Sequence, residues 1–188
     1  MKQISRPEYL ERLQALQDTP DIKIITGVRR SGKSMLMREY ISYLQQQNSN
    51  SNIIYVDFMD LAFEDLKEYH ALYTYIENAY QEGRCNYVFI DEVQLCPHFE
   101  LAVNSLHSKQ KYDLYLTGSN AFLLSADLAT LFTGRYIEIH VFPFSFAEYC
   151  SYFDARKDVD ALFDDYVLAG GLAGSYAYKT NFDKSVYI

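Results

Sequence analysis

The 188-residue sequence has no tryptophan, only 4 histidines and only 3 cysteines. Cys85, Cys96 and Cys150 are odd in number and widely spaced, with no C-x-x-C pair, so reduced, partly buried thiols are expected rather than a disulfide framework. His70, His98, His107 and His140 form no H-E-x-x-H and have no cysteine at ligand spacing, which argues against a metal site built from protein side chains. No apolar run approaches the roughly 20 residues that cross a bilayer. The opening Met-Lys-Gln-Ile-Ser-Arg-Pro-Glu lacks the apolar core of a signal peptide, so a cytoplasmic location and no membrane partner are expected. Positive charge is also scarce: 17 Lys and Arg face 25 Asp and Glu, a net −8 that does not suit a nonspecific nucleic-acid binder.

What stands out instead is Gly27-Val28-Arg29-Arg30-Ser31-Gly32-Lys33-Ser34. It fits G-x-x-x-x-G-K-[ST], the phosphate-binding loop of nucleotide triphosphatases. The apolar run Ile22–Ile25 before it reads as a buried strand, and Ser34–Leu44 after it reads as a helix. The glycines permit a tight turn, and amides from about Val28 to Ser34 can face an anion together with the helix's positive end. Lys33 is expected to reach the β- and γ-phosphates, Ser34 to offer its hydroxyl to Mg²⁺, and Met35 to continue the binding segment. The basic residues Arg29, Arg30, Lys33 and Arg38 cluster here in an otherwise acidic chain, although Arg29 and Arg30 are equally readable as solvated.

The remaining pattern alternates. A helix is expected from Arg6 to Leu16, then strands at 22–26, 53–57, 87–90, 112–117 and 136–141. Helical stretches are expected at 61–82, 97–109, 125–132, 145–153 and 159–168. Such alternation predicts an α/β fold with a parallel sheet covered on both faces.

Two further motifs fall at strand ends, where a parallel sheet places its ligands. Tyr87-Val88-Phe89-Ile90 runs into Asp91-Glu92; Asp91 is the expected Mg²⁺ carboxylate and Glu92 the base that activates water. A water-activating glutamate favours a hydrolase over a small-molecule kinase. The guanine-reading N-K-x-D is missing, so adenine is favoured by elimination. Leu114–Thr117 ends in Gly118-Ser119-Asn120; Thr117, Ser119 or Asn120 could contact the γ-phosphate or the water, though Gly-Ser-Asn is also ordinary turn chemistry. Arg135, before the fifth strand, could stabilise charge on the transferring phosphoryl group, within its own subunit or in a neighbour's site.

Taken in order, I-T-G-V-R-R-S-G-K-S (25–34), V-F-I-D-E-V-Q (88–94), L-T-G-S-N (116–120), L-F-T-G-R (131–135), F-P-F-S-F-A-E-Y (142–149) and Y-V-L-A-G-G-L (166–172) resemble a known family. It is the N-terminal ATPase domain of prokaryotic AAA+-type P-loop ATPases that carry a C-terminal domain of unknown function. The resemblance implies a five-stranded core of strand order 5-1-4-3-2 with flanking helices and the start of a helical lid. It implies an ATPase core over 1–142 and a helical segment over 143–188. It implies ATP and Mg²⁺ as ligands, hydrolysis by Lys33, Ser34, Asp91 and Glu92, a polar sensor in 117–120 and an arginine finger at Arg135. Leu172-Ala173 stands where the family usually has proline soon after its G-G pair. Family members usually run on past this length, so a truncated chain is expected. A homo-oligomer, a protein partner, or nucleic acid reached through a missing C-terminal region stay open. The competing readings are an ATPase switch or motor, a nucleotide-gated interaction module with little turnover, and the ATPase part of a nucleic-acid-acting protein.

Overall fold

A computed structural model describes residues 4–47, 49–118, 130, 132, 134–153 and 158–178. The described elements are α1 (Pro7–Ala15), β1 (Ile22–Thr26), α2 (Lys33–Gln47), β2 (Ser51–Asp57), α3 (Tyr69–Asn78), β3 (Cys85–Asp91), α4 (Phe99–Ser108), β4 (Asp113–Thr117), β5 (Tyr136–His140), α5 (Phe146–Phe153) and α6 (Val159–Ala169). All five strands are parallel in the order β2-β3-β4-β1-β5. This is the expected 5-1-4-3-2 arrangement read from the other edge.

Side chains alternate across the central strands and feed two cores. Ile22, Ile24, Val88, Ile90, Leu114 and Leu116 face α3 and α4, meeting Leu72, Ile76, Val103 and Leu106. Ile25, Tyr87, Phe89, Tyr115 and Ile139 face α1 and α2, meeting Leu13, Met37, Tyr40 and Leu44. At about 1.5–3 kcal/mol for each fully buried large apolar side chain, these two layers hold the strand ends in place. The rings are core material here: Phe89 stacks on Tyr115 at 4.8 Å between centroids.

Two local expectations change. α1 begins at Pro7, whose missing N–H costs nothing at a first turn, and Arg6 at its cap makes no capping bond. The single helix expected over 61–82 is two pieces. A 3₁₀ segment, Leu61–Lys67, opens on an Asp60 side-chain cap, and α3 opens on a Glu68 cap to the Ala71 amide. Two capping carboxylates eight residues apart each start a helix, and extended backbone at Glu68 separates them. The helix expected at 125–132 falls almost wholly outside the described residues.

One charge is locked inside this frame. Lys23, near the start of β1, is fully buried. Its Nζ donates to the Thr19 carbonyl at 2.6 Å and to Asp113 at 2.5 Å. Asp113 also accepts from the Asp18 amide at 2.8 Å and the Tyr115 hydroxyl at 2.8 Å. Removing one partner leaves a buried charge unmatched. Asp113→Asn should therefore lower unfolding free energy by about 3 kcal/mol, read from urea denaturation followed by circular dichroism; an unchanged midpoint would contradict the pairing.

Candidate functional site

The parallel strands bring β1, β3 and β4 to a common end, and the sequence motifs meet there. Between β1 and α2 the chain turns sharply. Gly27 has φ +144°, and a Cβ on it would lie 2.3 Å from the Val141 carbonyl oxygen. Gly32 has φ +100° with open space around it, so conformation alone demands glycine there. Arg30 takes a left-handed φ of +69°. Val28, Arg29 and Arg30 are exposed, whereas Ser31 and Lys33 are buried. Of the amides expected to face an anion, Ser31 N–H is bonded to the Val28 carbonyl at 3.2 Å.

Lys33 opens α2 and folds back over the loop, donating from Nζ to the carbonyls of Gly27 (3.1 Å) and Val28 (3.2 Å). Burial pushes its pKa down, opposed by the negative charges of Glu92 and Asp91. An ammonium held this way gains from an anion placed beside it.

Asp91 ends β3 and is almost fully buried. Its Oδ1 accepts from Ser34 Oγ at 3.1 Å and, very closely, from Thr117 Oγ1. Thr117 in turn accepts the Glu92 amide at 3.0 Å. The Thr117 hydroxyl is thus committed to the acid pair. Burial pushes the Asp91 pKa up; Thr117 and Ser34 oppose this, and the nearby Asp57 and Glu92 add to it. Glu92 sits in left-handed backbone, φ +54°, and its Oε2 accepts from Gln94 Nε2 at 2.5 Å. A non-glycine residue in that region is strained.

Sequence reading overlooked three contributors. Asp57, the register partner of Asp91, ends β2. It pairs with Arg38 at 3.0 Å, and the Tyr55 hydroxyl lies 3.3 Å from Asp57 and 3.4 Å from Asp91. A carboxylate ending the apolar run Ile53–Val56 was the available signal for Asp57. The other two are Gln94, within V-F-I-D-E-V-Q, and Arg6, at the start of α1.

The motif residues border a cavity of about 460 Å³. Gly32, Lys33, Ser34, Met35 and Glu92 line it, as do Glu39 and Phe144. That volume lies within the roughly 300–1,000 Å³ typical of small-molecule sites. Two other sequence candidates, Ser119 and Asn120, lie outside the described residues. Arg135 is exposed and precedes β5; its carbonyl accepts the Ile22 amide. It therefore stands at the start of the strands, whereas Asp91 and Thr117 stand at their ends. The structure does not bring it to the site of its own chain.

Whether a triphosphate with Mg²⁺ fits can be judged from the residues themselves. Ser31 Oγ is buried with no hydrogen-bond partner. The Gly27 turn is closed against Val141, leaving no space for a side chain. Ser34 and Asp91 present oxygen atoms, the donors a hard cation takes. These features fit the group.

The chain belongs to the AAA domain family (AAA_14), whose family model matches residues 19–150, and so at family level to the nucleotide-binding P-loop ATPases. An uncharacterised protein of Haemophilus influenzae is 40% identical over 173 residues, covering 89% of this chain and 43% of that protein. A second, from Methanocaldococcus jannaschii, is 28% identical over 143 residues, covering 72% and 30%. The chain spans less than half the length of these curated relatives. Among solved structures, the fold is similar to the Walker-type ATPase paby2304 of Pyrococcus abyssi (TM-score 0.60, 16% identity, 97% of this chain and 70% of that one). It is also similar to the Orc1 protein of Aeropyrum pernix in complex with DNA (TM-score 0.62, 12% identity, 82% and 50%). No helix among the described residues is long and apolar enough to cross a membrane.

The raised Asp91 pKa sets a pH test. A carboxyl whose pKa rises on folding weakens the fold once ionised: the penalty is full above its folded pKa and vanishes below its unfolded one. Asp91→Asn should raise Tm at neutral pH without divalent cation, with the gain shrinking as the solution is acidified. Thermal unfolding at several pH values reads this, and a lower Tm at neutral pH would contradict it.

Proposed function

We propose that this chain binds Mg·ATP at the ends of β1, β3 and β4 and hydrolyses it. The observation that carries the reading is the hydrogen-bonded line Ser34–Asp91–Thr117–Glu92, with Asp91 and Thr117 buried, set beside a Lys33 side chain folded over the glycine turn. Lys33 would leave its two carbonyl partners for the β- and γ-phosphate oxygens, exchanging weak acceptors for charged ones. Ser34 and Asp91 would hold Mg²⁺, which neutralises charge on the triphosphate. Glu92 would take a proton from the attacking water, its carboxylate steadied by Gln94 Nε2. Thr117 would keep the two acids in register. The Ile4–Glu39–Phe144 part of the cavity is the space for the base.

Residues 1–142 would form the ATPase core and 143–188 the start of a lid or further domain. Arg135, remote from its own site, would serve the site of a neighbouring copy. Turnover should then climb more steeply than protein concentration.

Lys33→Ala should abolish binding of a fluorescent ATP analogue. Glu92→Gln should keep that binding and slow phosphate release by about 10²-fold or more. Wild-type turnover by Glu92→Gln would refute its role as base. Tight binding without turnover in the wild type would favour the nucleotide-gated interaction module.

A further inference from the structure

Arg6 is a buried cation, with 6% of its surface exposed, whose side-chain hydrogen bonds reach residues far away in sequence. Its Nε donates to Glu148 Oε1 at 2.6 Å and its Nη2 to Glu148 Oε2 at 3.3 Å. Its Nη1 donates in another direction, to the Ser31 carbonyl of the phosphate loop at 3.2 Å. The guanidinium lies over two rings, 4.4 Å from the Tyr9 centroid and 5.3 Å from that of Phe144.

Glu148 is committed to α5. Its Oε2 accepts from the Ser145 amide (2.8 Å) and Ser145 Oγ (2.9 Å), and Ser145 Oγ accepts the Glu148 amide (3.3 Å). This is a capping box. Burial opposes the Glu148 charge, but Arg6 and Ser145 together hold its pKa below the usual carboxylate range. The helix pair is tied in again behind it. Phe144 N–H donates to the Gly171 carbonyl at 2.7 Å, and a Cβ on Gly171 would lie 2.4 Å from the Phe144 carbonyl oxygen.

We infer that Arg6 is a positioning residue that couples occupancy of the phosphate loop to the docking of α5 and α6. This rests on the reading of the loop as an ATP site. The peptide between Ser31 and Gly32 is trans, so holding the Ser31 carbonyl fixes the opposite direction of the Gly32 N–H. Gly32, at φ +100°, is free to turn that peptide over when nothing holds it. A cation that fixes this amide tightens phosphate binding, and the same cation grips Glu148 more firmly when the loop is set. Linkage makes the two effects equal: whatever α5 docking adds to ATP affinity, ATP adds to α5 docking. Only a planar fork with separate N–H directions serves both partners, so lysine is not a substitute.

The test is hydrogen exchange of the α5 amides, residues 146–153, with and without Mg·ATP, alongside ATP affinity. In the wild type, Mg·ATP should slow exchange across α5. Arg6→Ala should bind ATP at least about tenfold more weakly, and saturating ATP should no longer protect α5. Arg6→Lys should restore the urea midpoint without restoring that protection. Glu148→Gln keeps an acceptor for Ser145 and decides the matter if Arg6→Ala fails to fold: it should lose ATP-dependent protection of α5 while losing less affinity. Wild-type affinity and full α5 protection in Arg6→Ala, or full protection in Glu148→Gln, would overturn the coupling alone. Absence of ATP binding in the wild type would overturn both the coupling and the ATP reading.

Discussion

Opposite charges stripped of water at the strand ends are the constraint on which this structure depends. Asp91 and Lys33 are both buried, and burial works against the charged form of each. Among the described residues neither makes a direct ion pair: Asp91 leans on the hydroxyls of Ser34 and Thr117, Lys33 on two loop carbonyls. A fold that needed only stability would replace such groups with apolar ones. Kept side by side, they form a place where a multiply charged anion and a divalent cation each supply what the other's neighbours lack.

The rest of the fold serves to hold that imbalance. β1 carries the glycine turn and is fixed in the sheet by a buried salt bridge of its own at the opposite end, Lys23 to Asp113. β3 and β4 deliver Asp91 and Thr117 in adjacent strands, Ile90 paired with Leu116, so the hydroxyl falls beside the carboxylate. The two apolar layers fix the strands' relative heights, and a slip of one residue would turn Asp91 and Thr117 to opposite faces.

Much of this was legible in the sequence because it is local. The run Ile22–Thr26, the G-x-x-x-x-G-K-S turn and the acid pair after Tyr87–Ile90 carry their structure in short spacing, and alternating elements gave the parallel sheet. What could not be read is what comes together from far apart. Arg6 and Glu148 lie 142 positions apart, and no periodicity links them. The break of the 61–82 stretch was hidden because Asp60 and Glu68 look like ordinary surface acids until their side chains are seen capping. Arg135 shows the reverse error of scale. Its position before β5 was read correctly, but only the parallel topology reveals that this is the far end of the sheet from Asp91.

The central claim is that the desolvated pair at the strand ends is completed by a triphosphate with its metal. Isothermal titration of the wild-type chain with ATP, in the presence and absence of Mg²⁺, measures this most directly. The account predicts saturable uptake of one nucleotide per chain, distinctly tighter with Mg²⁺ than without. No saturable heat from a chain shown to be folded would contradict it.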